Sequence, residues 1–121
     1  MAIDFSLTPE LEAIRSRVRT FVDDVIRPGG AIIDGEGDNE PLDGKDRLRA
    51  LIGMRKQAHA EGLWLPHMPA EWGGMGLGHV ELAMVQAEAA RSYYGPWVLN
   101  CQAPDEGNMH TLLHWATDAQ K

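Results

Sequence analysis

Pro69-Ala-Glu-Trp-Gly-Gly-Met-Gly-Leu-Gly-His79 runs directly into Val80-Glu-Leu-Ala-Met-Val-Gln-Ala-Glu-Ala-Ala-Arg-Ser92. Pro66, Pro69, Gly73, Gly74, Gly76 and Gly78 deny regular structure to the segment from Leu63 to Gly78. Yet Leu63, Trp64, Leu65, Met68, Trp72, Met75 and Leu77 are too many apolar side chains to leave in water. The segment therefore reads as a compact loop pinned by tryptophans. From His79 to about Arg91 the pattern becomes helical. Val80, Leu82, Ala83, Met84, Val85, Ala87, Ala89 and Ala90 cover much of the circumference, the signature of a central, buried helix. Tyr93-Tyr94-Gly95-Pro96 should break it.

Working outward, three more helices emerge. Thr8 can cap the first, Pro9 suits its opening position, and Glu10 favours the positive end of the helix dipole. Leu11, Ile14, Val18, Phe21, Val22 and Val25 then form one apolar stripe, which Arg27-Pro28-Gly29-Gly30 should end. Residues 31–43 read as a surface loop rich in glycine and acids. A calcium loop is excluded there, because the twelfth position counted from Asp34 is Lys45, where a bidentate glutamate is required. The second of these helices spans about Asp43 to His59, with Leu48, Leu51, Ile52, Arg55 and Ala58 on one face and Gly62 as terminator. The last runs from about Pro104 to Ala116, its inner face marked by Met109, Leu112, Leu113 and Ala116. Ala31-Ile32-Ile33 is too short a run to make a strand, and no repeat is present. The expected fold is all-α, a small antiparallel helical bundle in one domain over residues 1–121.

Composition narrows the function. A net charge of −7 leaves nothing to neutralise nucleic-acid phosphates and disfavours an anionic membrane surface. Arg15, Arg17 and Arg19, and the basic residues from Lys45 to Lys56, sit among acids at helical spacing and read as solvated faces with i,i+4 pairs. Cys101 is the single cysteine, so no intrachain disulfide can form. The opening residues lack a basic region and an apolar run, and no stretch approaches the roughly 20 residues that span a bilayer. A cytoplasmic location is the default expectation.

The residue types that do chemistry are sparse. Gly74-Met-Gly76 fails as a dinucleotide loop, since the third glycine would fall at His79 and no strand precedes it. Glu106, His110 and His114 follow one another at i, i+4 and i+8. Two histidines at that spacing can share a zinc ion, but eight helical residues span about 12 Å, too far for all three. A zinc-binding regulator would be built on His110 and His114; polar-face or satisfied core histidines are the plainer reading. Cys101 reads as a small core residue rather than a nucleophile.

The order of several motifs resembles the amino-terminal helical domain of the acyl-CoA dehydrogenases. The matching stretches are Phe5-Ser-Leu-Thr-Pro-Glu10, Glu61-Gly62-Leu63-Trp64, Pro69 to Gly76, the helix carrying Glu88, and Thr117 to Lys121. Asn100-Cys-Gln-Ala-Pro-Asp-Glu-Gly-Asn-Met109 is similar to the branch that includes family members ten and eleven, which suggests long or modified acyl chains.

That resemblance implies a larger flavin enzyme. This domain would be followed by a β-domain and a second helical domain, which hold FAD and the catalytic glutamate. Neither is in these 121 residues, so the chain is expected to be inactive alone. The resemblance further implies an acyl-CoA substrate, an electron-transfer flavoprotein as acceptor, and a homo-oligomer. By alignment it carries the far end of the acyl channel onto Asn100, Gln102, Ala103 and Gly107. The alternative is that Asn100 and Gln102 merely cap the last helix. The rival to the enzyme reading is a free-standing helical module for interaction or dimerisation. A domain built to sit beside absent partners should leave apolar residues uncovered. At least one of Trp64, Trp72, Trp97 and Trp115 should then be partly exposed, Trp72 or Trp97 first.

Overall fold

A computed structural model describes residues 2–121. Its helices are α1 (Pro9–Phe21), α2 (Arg27–Asp34), α3 (Gly44–Ala60), α4 (His79–Ala89), α5 (Gly95–Val98) and α6 (Asp105–Trp115). A π-helical turn, Val22–Ile26, joins α1 to α2, and a 3₁₀ turn, Ala70–Trp72, lies in the glycine-rich loop. Among the described residues there is no β-strand, so the fold is all-α. Nor is any helix long and apolar enough to cross a membrane.

Several boundaries follow from local chemistry. The Thr8 hydroxyl accepts from the Leu11 amide at 3.3 Å. The Asp43 carboxylate accepts from the amides of Lys45 and Asp46, both at 3.1 Å. Gly62, at φ +71, closes α3: its amide donates to His59 O and the Leu63 amide to Ala58 O, which satisfies carbonyls the helix would otherwise leave open.

Pro28-Gly29-Gly30 does not stop the first helix. The chain stays helical to Asp34 and turns only at Gly35, at φ +70. The π turn explains the proline. It sets Pro28 in the first turn of the resumed α-helix, where the missing N–H costs little. The glycines serve packing. A Cβ on Gly29 would lie 2.5 Å from Met54 Sδ, and one on Gly30 would lie 2.9 Å from Tyr94 Cδ2. They are absent side chains that let α2 approach its neighbours.

The core joins α1, the π turn and α2 to parts of the rest: Val18, Phe21, Val22, Ile26 and Ile33 pack with Leu63, Val85, Val98 and Leu99. On α3 the inward face centres on Met54 and Ala58, while Leu48 and Ile52 point outward, a rotation from the expected stripe. Helix α4 is not buried all round. Val85, Glu88 and Ala89 are inside, and Val80, Ala83, Ala87 and Ala90 are exposed. Its alanines reflect helix propensity as much as burial. Glu88 is inside because the Arg19 guanidinium meets it with two hydrogen bonds, of 3.1 and 2.7 Å, clamping α1 to α4.

Helix α6 is the least covered, with no buried residue. Met109, Leu113 and Ala116 are half-buried, but Leu112 is exposed. Trp115 is 86% exposed and Trp72 43%, whereas Trp64 and Trp97 are half-buried. The most exposed indole is thus Trp115, with Trp72 second.

Candidate functional site: the turn between α5 and α6

The expected break is present: α4 ends at Ala89 and residues 90–94 are not helical, and Pro96 then sits in the first turn of a new helix, α5. Gly95 permits this start, because a Cβ there would be 1.9 Å from the Ala89 carbonyl oxygen. Beyond Val98 the chain turns sharply. Asn100 adopts a left-handed φ of +55 although it is not glycine, and the Ala103–Pro104 bond is cis. Several hydrogen bonds fix the turn. Leu65 N–H donates to Leu99 O at 3.0 Å, and Cys101 N–H to Pro96 O at 2.9 Å. The Gln86 side-chain amide donates to Cys101 O, and Arg55 reaches Asn100 Oδ1 at 3.1 Å.

This geometry brings three of the four expected site residues together. Asn100, Gln102 and Ala103 line one small cavity of about 80 Å³ with Arg55, Trp97, Pro104 and Asp105. Gly107 lies outside that cavity, and a Cβ on it would meet nothing within 4 Å. Neither the Asn100 nor the Gln102 side chain caps α6, which starts at Asp105 with Pro104 at its N-cap and no side-chain cap. The Asn100 side chain is turned to Arg55 instead.

Arg55, which the sequence puts on one helix face with Leu48, Leu51, Ile52 and Ala58, does more than cover apolar surface. Its guanidinium in fact sits 3.6 Å from the Trp97 ring centroid and 5.0 Å from that of Trp64. Its Nε donates to Trp97 O at 3.0 Å. Burial lowers its pKa, while the nearby Asp105 charge opposes that shift. A guanidinium keeps its charge through such a shift. The available signal was a lone arginine on an otherwise apolar helix face.

The histidines form a second group. His67, from the glycine-rich loop, faces His110 at 5.3 Å between ring centroids, and His110 stacks near His114 at 6.3 Å. Both nitrogens of the buried His67 lack a hydrogen-bond partner. Burial lowers its pKa, with Glu106 opposing and His110 adding to the fall. Glu106 is turned elsewhere, accepting from the Gln86 amide at 3.1 Å. Among the described residues, no group of three or more histidine, cysteine or acidic side chains is arranged to hold a metal ion. The Cys101 thiol is buried, which pushes its pKa up to about 12 and leaves no thiolate at neutral pH.

The glycine-rich loop also has a structural explanation. A Cβ on Gly74 would fall 2.0 Å from Met68 O and 2.7 Å from Leu65 O. The Gly76 amide donates to Met68 O at 3.0 Å. These glycines let the loop fold on itself.

Comparison with known proteins agrees with this architecture. Residues 8–121 match the family model described as acyl-CoA dehydrogenase, N-terminal domain. The chain is 40% identical over 68 residues to acyl-CoA dehydrogenase family member 11 of Homo sapiens, covering 56% of this chain and 8% of that protein. The corresponding chicken protein (Gallus gallus) is 38% identical over 71 residues, or 59% of this chain and 9% of its own length. Family member 10 of Mus musculus is 38% identical over 73 residues, 56% of this chain and 7% of that protein. The matched stretch therefore spans less than a tenth of the length of these curated relatives. No solved structure matches it significantly. With nearly the whole chain matched to that model, and with an all-α architecture, the chain belongs to the acyl-CoA dehydrogenase family and corresponds to its N-terminal domain.

Proposed function

We propose that this chain is the amino-terminal part of an FAD-dependent enzyme that dehydrogenates the α,β bond of an acyl-CoA thioester. In that enzyme the domain supplies part of the acyl-pocket wall and of the packing between domains and subunits. Alone it is inactive. The observation that carries this reading is the family match over residues 8–121. It is supported by the cavity at the α5–α6 turn, where Asn100, Gln102 and Ala103 converge.

Burial keeps the Cys101 thiol protonated, and neither nitrogen of the buried His67 is hydrogen-bonded within this domain. FAD would be held by further domains, with an electron-transfer flavoprotein as acceptor and copies of the subunit as partners. A cytoplasmic location goes with this reading.

The second reading, an interaction or dimerisation module without activity, draws on one observation. Trp72, Leu112 and Trp115 are exposed, and Trp72 and Leu112 border an apolar groove of about 210 Å³ with Leu65, Met68, Met109 and Leu113. Two observations separate the readings. The purified chain, mixed with FAD, acyl-CoA and a dye acceptor, gives no turnover under the first. A reading frame continuing past Lys121 into a flavin-binding β-domain supports the enzyme, and a stop after Lys121 supports the module. Turnover by the chain alone would refute its inactivity.

A further inference from the structure

We infer that Arg55 is a positioning residue for acyl-chain selectivity, acting through Trp97 and Asn100 on the wall that carries Gln102 and Ala103. This rests on the acyl-wall reading above. Three features point to Arg55 rather than to the turn itself.

The turn is irregular and held largely from outside. Between Leu99 and Pro104 there is no regular element, and Asn100 holds a left-handed backbone, which asparagine tolerates better than most non-glycine residues. At Asn100 the side-chain partner is Arg55 Nη2, and Asn100 is only 3% exposed. Without Arg55 the Asn100 amide oxygen would be buried and unpaired, an unfavourable state that a shift of the turn would relieve.

The clamp also acts at both ends of the turn's first half. Nε holds the Trp97 carbonyl and Nη2 holds the Asn100 side chain, three residues apart. The guanidinium plane lies against the Trp97 ring and near that of Trp64, so it is fixed by stacking as well as by hydrogen bonds. A lysine could keep the charge but could neither fork to two acceptors nor stack as a plane.

Arg55 also lines the same small cavity as Gln102 and Ala103. Its position and theirs are therefore coupled by contact with one space, not by distance along the chain. In the intact enzyme a rigid turn defines where an acyl chain must stop, and a loosened turn stops it less sharply.

The test uses the complete flavoprotein with a series of saturated acyl-CoA esters of increasing length. kcat and KM are measured for the parent, R55K, R55M and A103W. In the parent, KM should rise steeply beyond the preferred length. R55M should flatten that rise by about tenfold, the weight of roughly one hydrogen bond to a charged group. R55K should fall between the parent and R55M, and the change should appear in KM ratios between esters. A uniform fall in kcat/KM across all lengths would overturn the inference and leave Arg55 a scaffold residue only. If A103W changes the length profile and the Arg55 variants do not, the inference fails while the acyl wall stands. If A103W leaves the profile unaltered, the wall reading fails and takes the inference with it. Should R55M not fold, the R55K profile decides alone.

Discussion

Gly95→Ala adds a single methyl group at the place where α5 approaches α4 most closely. The new Cβ would lie 1.9 Å from the Ala89 carbonyl oxygen and 2.7 Å from its carbonyl carbon. Real Cβ atoms stay 3.0 Å or more from such atoms, so the two segments must separate by about 1 Å. The obstacle is backbone and cannot rotate away. Val98 and Leu99, both fully buried, lie immediately beyond and would be dragged from the core. Overpacking usually costs about 1–3 kcal/mol, and a clash with backbone belongs at the upper end. For a domain of this size that means a fall in Tm of roughly 10 °C. Gly53→Ala is the matched control. It also adds one methyl group, but within α3 and with nothing within 4 Å. There the gain in helix propensity should stabilise by about 0.5–1 kcal/mol, raising Tm by a few degrees. Thermal unfolding followed by circular dichroism checks both. Opposite signs are expected. A Gly95→Ala protein that melts within a degree or two of the parent would refute the packing argument.

Two further outcomes follow from buried titratable groups. His67 has its pKa lowered in the folded state, chiefly by burial, so the unfolded chain binds its proton more readily. Stability should therefore be intact above the ordinary histidine pKa of about 6.5 and decline as pH falls below it, and His67→Phe should shallow that decline in urea titrations. An unaltered acid slope in the variant would contradict this. Cys101, buried and pushed up to about 12, should resist an aromatic disulfide reagent at mildly alkaline pH until the chain unfolds. Rapid labelling of the native chain would show the thiol to be accessible.

The parts legible in the sequence were those decided by local chemistry. Thr8, Asp43 and Gly62 work within a turn of their own position, and each boundary lies within a residue or so of where they indicate. The family resemblance rested on motif order, which the match over residues 8–121 bears out. What stayed hidden depends on partners distant along the chain. Gly29 and Gly30 look like stop signals until Met54 and Tyr94 are seen against them. Glu88 looks like a surface acid on an apolar helix until Arg19 meets it from α1. Arg55 shares an apolar helix face in the sequence, but its role there stays hidden because its acceptors lie 42 and 45 residues away. Gly107, placed at the pocket by alignment, lies apart from the Asn100 cavity because α6 has already begun by Asp105.

Whether this domain serves an acyl-CoA-oxidising flavoprotein can be read from one spectral titration. The product of the complete reading frame is purified, and acyl-CoA is added without oxygen while the flavin absorbance is followed. Bound FAD should bleach on addition of an acyl-CoA of suitable length. A complete product that carries no flavin, or whose flavin stays oxidised with every acyl-CoA in the length series, would contradict it.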